Sequence, residues 1–431
     1  MKKKILKYIL LFFFFLLIIL VFGADNTDNV WNYGVSHAIR IGELPYRDFN
    51  TITTPLYQFI MSIGLFIYDS YLTFIICQAI LCTIFSYILE KLVKDNFWIV
   101  LSILLFPIFY FFFPNYNFLV MLLFIYIIYL EKEKKSDSLI GIILGLLVLT
   151  KHSVGGVILV FSLLSTKSIK RSFKRLIYSL IPISIFIIYL LSTNTLMHFL
   201  DLCVFGLFDF AEKNKYTSPF FIIITLVCII YTIYSLIKKK DFLNYYLIPS
   251  FTLLIPIMDM FHCTYLVGFF AIVIFIREKE LNKIIPSIYG ITIIIVFLLC
   301  NTIKNDYIKD LSFSSTGRMK YVLLDKESKT YIKSVLNKYN SYKNVCMISM
   351  NSMYFDIESD KKITYFDIPL YGNFGYNGLN KMKNKIENMH DTYFFLLDND
   401  NRQFVNKLTK YVRKNAKYVE NIQNYQIYYK E

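Results

Sequence analysis

Charge is scarce in this chain. Charged residues occupy 18% of its 431 positions, where soluble domains carry about a quarter. With 56% hydrophobic residues and a mean hydropathy of +0.49, an ordinary water-soluble core is excluded. Seven cysteines are present, but no Cys-x-x-Cys pair. That spacing excludes a disulfide framework or a zinc ribbon. Most of the cysteines fall in or beside apolar runs and read as small hydrophobes. Internal repeats of the transporter kind, with paired broken helices in matching halves, are also missing. The charge that remains is lopsided: 46 Lys and Arg against 31 Asp and Glu. No basic–aromatic groove or known module accompanies it, so nucleic acid is not a partner.

What the chain has in abundance is long Leu, Ile and Phe runs, such as Ile5–Val21 and Ile284–Leu299. About 20 apolar residues cross a bilayer as a helix. The runs predict about eleven transmembrane helices, near 5–23, 72–92, 96–113, 116–131, 138–150, 153–165, 176–192, 219–237, 242–258, 262–276 and 284–301. The first is read as an uncleaved span, because Phe22-Gly23-Ala24 is a poor signal cleavage site. Basic residues gather in short loops: Lys91 and Lys94, Glu131–Lys135, Lys167–Arg175, Lys238–Lys240 and Arg277–Lys283. Pro55–Tyr68 is apolar but only about 14 residues long, which suits an interfacial segment. Leaving it out of the membrane puts all the basic loops and the N-terminus in the cytoplasm, as the positive-inside rule prefers. Loops 24–71 and 193–218, the turns near 114–117, 150–153 and 259–262, and the tail then lie outside. All five histidines fall on that side.

The tail, residues 302–431, turns charged and rich in Asn, Lys and Tyr. It reads as a small α/β domain without a Gly-rich phosphate loop. Helices are predicted at Ser328–Tyr339, Asn377–Met389 and Arg402–Ala416. Strands are predicted at Asn344–Ser349, Thr364–Asp367 and Tyr393–Leu397, with edge strands Tyr418–Ile422 and Tyr425–Tyr429. The expected architecture is a polytopic α-helical membrane module over residues 1–301, followed by this extracytoplasmic domain.

Ionisable groups at the outer loops are where chemistry is sought. Residues 28–42 read as a short amphipathic helix with Val30, Tyr33, His37 and Ile41 on one face and Asp28 at its start. An Asp there is also a common N-cap. Then come Gly42-Glu43-Leu44-Pro45-Tyr46-Arg47-Asp48-Phe49 and Pro55-Leu56-Tyr57. This order resembles the first external loop of GT-C glycosyltransferases, above all bacterial relatives of protein mannosyltransferases and lipid A aminoarabinose transferases. Leu149-Thr150-Lys151-His152 is similar to a Leu-Thr-Lys-Gln turn of that family, with His152 replacing Gln. Asp259-Met260-Phe261-His262 is similar to an Asp-x-x-His element of some members. The likeness covers most of residues 5–300 in order, but only these short stretches in identity.

The resemblance implies a bacterial plasma-membrane enzyme that moves a sugar from a polyprenyl-phosphate donor to a glycolipid, surface-polysaccharide or wall-polymer acceptor. Asp28 would be the base and Asp48 a second carboxylate that orients the loop or binds a metal. Lys151, His152, His262 and Arg47 would meet the donor's phosphate. Asp259, Arg40 and Tyr57 are weaker candidates for acceptor or metal contacts, and the need for a divalent metal stays open. Each residue also has a structural reading. Lys151 can snorkel, Asp259 can hold His262, and Arg47–Asp48 can fix the turn after Pro45. Asp201, Asp209 and Glu212 read as a solvated face. A lipid or polysaccharide flippase, or a scaffold whose tail recruits a partner, is the competing expectation.

Overall fold

The computed structural model describes residues 2–22, 27–93, 114–213, 219–239, 241–255, 257–277, 312–314, 317–324, 326–359, 368–398, 400 and 402–431. The helical part contains α1 (Lys2–Phe22), α2 (Thr27–Arg40), α3 (Leu56–Ile67), α4 (Tyr71–Leu92), α5 (Tyr116–Lys132), α6 (Asp137–Thr150), α7 (His152–Ser165) and α8 (Ile169–Ser192). It continues with α9 (Leu196–Leu200), a π-helical turn over Asp201–Phe205, α10 (Gly206–Lys213), α11 (Pro219–Lys238), α12 (Asn244–Ser250) and α13 (Met260–Arg277). Among the described residues three helices are long and apolar enough to cross a membrane: Tyr71–Leu92, Ile169–Ser192 and, in α11, Phe221–Lys238. The expected spans at 96–113 and 284–301 lie outside the described residues.

The segment set aside as interfacial is the 12-residue α3. Its Ile63, Phe66 and Ile67 are exposed, while Tyr57, Met61 and Leu65 pack inward. The span expected at 242–258 is not one helix. It is α12 followed by a 3-10 turn, Phe251–Leu254. Ile255, which precedes Pro256, is extended (φ −89°, ψ 136°), because the proline ring disfavours the helical conformation of the residue before it.

α6 packs closely on α8. Gly141 and Gly145, four residues apart on α6, face the backbone of α8. A Cβ on Gly145 would stand 2.3 Å from the Ser179 carbonyl oxygen, and one on Gly141 2.5 Å from that of Arg175. Only glycine permits this approach, as in small-xxx-small contacts between membrane helices.

Ion pairs collect at one end of the bundle. Lys7 bonds Glu90, and Lys132 donates to the Leu92 carbonyl at 2.6 Å. Buried Arg175 bridges Glu131 and Asp137, and Arg277 donates to Asp241 at 2.9 Å. Lys7, Lys132, Arg175 and Arg277 therefore lie together at the ends of α1, α5, α8 and α13 that face away from α2.

The C-terminal part has β1 (Ser312–Phe313), β2 (Leu323–Leu324), α14 (Lys326–Ser341), β3 (Val345–Ile348), α15 (Ser352–Glu358), α16 (Gly378–Glu387), β4 (Thr392–Leu397), α17 (Gln403–Asn415), β5 (Lys417–Ile422) and β6 (Tyr425–Lys430). Strands run in the order β3-β4-β6-β5, with β3 parallel to β4 and the other pairs antiparallel. Side chains alternate across the sheet. Met347, Phe395 and Ile427 face α14 and α15, whereas Cys346, Ile348, Phe394 and Leu396 face α16 and α17. β6 is interior rather than the predicted edge strand, because it pairs β4 on one side and β5 on the other. The predicted strand Thr364–Asp367 lies outside the described residues. The short α15 and the β1–β2 pair were not expected from the sequence.

This domain sits on the helices near α2. A Cβ on Gly34 would overlap Met353 of α15 at 2.5 Å. Arg318 Nε donates to Asp69 at 3.0 Å, and the Tyr71 amide donates to the Arg318 carbonyl at 3.2 Å. On the far side, Asp209 accepts from the Asn377 amide at 3.0 Å, and Asp201 accepts from the Tyr376 amide at 3.1 Å and pairs with Lys381. Asp201 and Asp209 thus anchor the C-terminal domain instead of forming a solvated face.

Candidate functional site

α2 is buried from Asn29 to Ala38. Asp28 in its first turn and Arg40 in its last complement the helix dipole. Gly42 (φ 91°) closes it, with Glu43 N–H on the Ala38 carbonyl at 2.9 Å, the bond of a Schellman end. A chain of buried amides fixes α2 in place. Asn29 donates to the Tyr71 hydroxyl and accepts from Gln78, each at 2.7 Å. Gln78 also donates to the Pro114 carbonyl, as does the Tyr57 hydroxyl, both at 2.7 Å. Gln58 donates to Asn32 at 3.1 Å, and Asn32 in turn donates to the Asp28 carbonyl at 2.7 Å. These bonds hold α2 in one geometry, although Gln58 Oε1 and Gln78 Oε1 accept from none of the described residues.

Asp28, at the start of this helix, lies within electrostatic reach of Asp259. Its surface is accessible, yet the protein around it strips away enough water to push its carboxyl up to about 6, with the Asp259 charge raising it further. Both observations fit a carboxylate that lines a deep recess. Lys151 stands in the turn between α6 and α7, buried, and donates to Asn117 Oδ1 of α5 at 3.0 Å. Burial pulls its ammonium down to about 8, and Asp259 pulls the other way. Asp259 begins α13. It accepts from the His262 amide at 2.8 Å and from His262 Nδ1 at 2.7 Å. Despite its burial it is held below the usual carboxylate range, by His262 and Lys151. Asp28, Lys151, Asp259 and His262, from three separate stretches, therefore share one electrostatic neighbourhood. Two buried donors beside it have no partner among the described residues: Asn117 Nδ2, next to Lys151, and Trp31 Nε1, one turn along α2 from Asp28. The Trp31 ring meets Tyr116, the neighbour of Asn117, edge-on at 6.5 Å. Buried donors without acceptors cost free energy, so the recess is built for an acceptor-rich ligand.

The chain matches no family model, no curated protein and no solved structure. The site is therefore read from its own geometry.

Other candidates from the sequence fall elsewhere. Asp48 accepts from the Leu44 amide at 2.8 Å and from Arg47 Nε and Nη2 at 2.9 and 2.7 Å. The pair holds the turn in which Tyr46 adopts φ 69°. Tyr46 then buries its ring with Leu190, Leu202 and Cys203 and donates to the Thr53 carbonyl at 2.7 Å. The Pro-Tyr-Arg-Asp run thus ties the loop to α8, apart from the Asp28 group. Arg40 reaches the Leu65 carbonyl at 3.3 Å and Asp69 at 3.5 Å. Asp69 also binds His37 Nδ1 at 2.9 Å and Arg318. Tyr57 belongs to the amide network. His152 stacks edge-on with Phe199, and its buried Nδ1 lacks a partner. Among the described residues no three metal-ligating side chains converge. Sequence reasoning missed Asn117 and Asp69. The signal for Asn117 was its place in Pro114-Asn115-Tyr116-Asn117, an amide inside the first turn of an otherwise apolar helix.

Proposed function

We propose that this protein is a membrane glycosyltransferase of GT-C type. It transfers a sugar from a polyprenyl-phosphate donor to a glycan or lipid acceptor on the outer face of a bacterial plasma membrane. The observation that carries the reading is the meeting of Asp28 with Lys151, Asp259 and His262 beside the unpartnered donors of Asn117 and Trp31. In the proposed step an acceptor hydroxyl oxygen bonds to the anomeric carbon as the carbon–phosphate oxygen bond breaks. The hydroxyl proton passes to the Asp28 carboxylate, whose raised pKa suits a base working near neutrality. The electron pair stays on the departing phosphate, which Lys151 and Asn117 Nδ2 receive. Asp259 supports this by holding Lys151 charged and His262 oriented.

The short helices support placing the phosphate at the Lys151 turn. Each has 14 residues, about 21 Å of helix, so a headgroup must dip below the outer surface to meet the turn. The ion pairs at the opposite bundle end support a cytoplasmic assignment for that end. The interrupted α12 favours one rival, a lipid flippase, since broken helices recur in transporters. Transfer measured with purified Asp28→Asn protein separates the two. An enzyme loses at least about a hundredfold in rate. Full activity in that variant refutes the proposal, and lipid movement unaffected by the substitution favours the flippase.

A further inference from the structure

α2 is a partition with two working faces. Successive helical residues turn by about 100° and rise 1.5 Å. Asp28 and Trp31 face the recess, and Thr27 and Val30 are rotated toward the C-terminal domain. On that second face lies a cavity of about 340 Å3 between α2 and the helices α14 and α15. Its wall includes Thr27, Val30, Ser328, Tyr331, Asn351 and Tyr354, and none of the described residues lining it is charged. The cavity is built, not a gap left by loose packing. Gly34 brings α15 into contact with α2 at Met353 and Ile357, and Arg318, paired with Asp69, donates to the Ile357 carbonyl at 2.8 Å, so both fix the same stretch of α15. Beside this contact Tyr354 is 8% exposed, and its hydroxyl has no hydrogen-bond partner among the described residues. A buried hydroxyl is ordinarily satisfied. This one lines a space that a ligand can fill.

The chemistry of the wall selects the occupant. An ionic group would enter without a counter-charge, which burial penalises heavily. A purely apolar molecule would leave the buried Tyr354 hydroxyl without a partner. A neutral sugar ring meets both demands, with apolar C–H faces for Tyr331 and Val30 and hydroxyls for Tyr354, Asn351 and Thr27. The volume is at the lower end for small-molecule sites, enough for one or two rings. We propose that this cavity binds a neutral saccharide unit of the acceptor, roofed by the C-terminal domain, with the next unit reaching around the first turn of α2 toward Asp28. The proposal rests on the transferase reading but uses residues separate from its donor site.

The test uses full-length protein in detergent with Trp98→Phe, which leaves Trp31 as the sole tryptophan. Glucose, mannose, galactose and N-acetylglucosamine are titrated while Trp31 fluorescence is read, with glucuronate as the charged control. At least one neutral sugar is expected to give a saturable change and glucuronate none. Tyr354→Phe should weaken binding about three- to tenfold, the value of one hydrogen bond. Ile332→Phe, which fills the cavity from α14, should abolish it. Neither variant should alter the amount of polyprenyl phosphate that the transferase reading expects to co-purify with the protein. No saturable response to any neutral sugar, or a response that survives Ile332→Phe, overturns the cavity assignment and leaves the donor site standing. Sugar binding with the expected variant pattern but without lipid phosphate overturns the transferase reading and leaves the cavity standing.

Discussion

Replacing Asp259 with Asn should move the whole pH profile of transfer toward acid. With Asp28 at about 6 and Lys151 at about 8, the wild-type rate should be bell-shaped. It rises as Asp28 ionises to become the base and falls as Lys151 loses the proton that gives it charge. Near pH 7 each group is roughly nine-tenths in its working form, so the optimum lies there. The Asp259 charge raises both pKa values, because a nearby anion disfavours the ionised carboxylate and favours the ammonium. Removing it lowers both. The displacement of Asp28 is about 2 pH units, with burial the larger cause, so its limb should move by less than about 1 unit. The Lys151 limb should move in the same direction. Asparagine keeps an acceptor for His262, so the geometry of the turn is retained. Initial rates of radiolabelled sugar transfer from a polyprenyl-phosphate donor, taken from pH 5 to pH 9, report both limbs. Limbs that stay in place, move apart or shift to alkaline pH would refute the electrostatic link between Asp28, Asp259 and Lys151.

Other consequences concern binding and stability. Lys151→Met should lower transfer by about 10²–10³, as loss of a donor to a developing anion does elsewhere, while the thermal midpoint in detergent stays close to wild type. Asp69→Ala leaves Arg318 and His37 without their shared carboxylate and should cost the interdomain contact about 3–5 kcal/mol, read as faster hydrogen exchange in α15 and β1–β2. Asp69 is held below the usual carboxylate range by His37 and Arg318 against the effect of its burial. Its contribution is therefore present at neutral pH and is lost as pH falls through its lowered pKa, so domain contact should loosen only on strong acidification. Gly145→Val forces α6 from the Ser179 carbonyl and should lower the midpoint by an overpacking cost of about 1–3 kcal/mol. An unchanged midpoint would mean that α6 and α8 are not in close contact.

Parts of this were legible in the sequence, for physical reasons that differ by residue. Asp28, Lys151, Asp259 and His262 stood out because charge is rare among apolar runs and each sits at a helix end. α2 followed from its periodicity, and α3 from a length too short to cross a bilayer. The function of the Arg47–Asp48 turn was not legible. Its residues form a conspicuous motif, but only coordinates reveal that Asp48 is spent on Arg47 and the Leu44 amide. Asn117 escaped notice because an amide in the first turn of an apolar helix reads as a cap, and Asn115 already takes that role. The break after α12 was hidden by a hydropathy that stays high across Pro249 and Pro256. Docking of the tail on Asp69, Asp201 and Asp209 was invisible, since contacts between residues far apart in sequence leave no local pattern.

Native mass spectrometry of the purified protein and its Lys151→Ala and Asp28→Asn variants tests the central claim most directly. The account predicts a bound polyprenyl phosphate in wild type, retained in Asp28→Asn and lost in Lys151→Ala. Lipid phosphate held equally by all three, or by none, would contradict it.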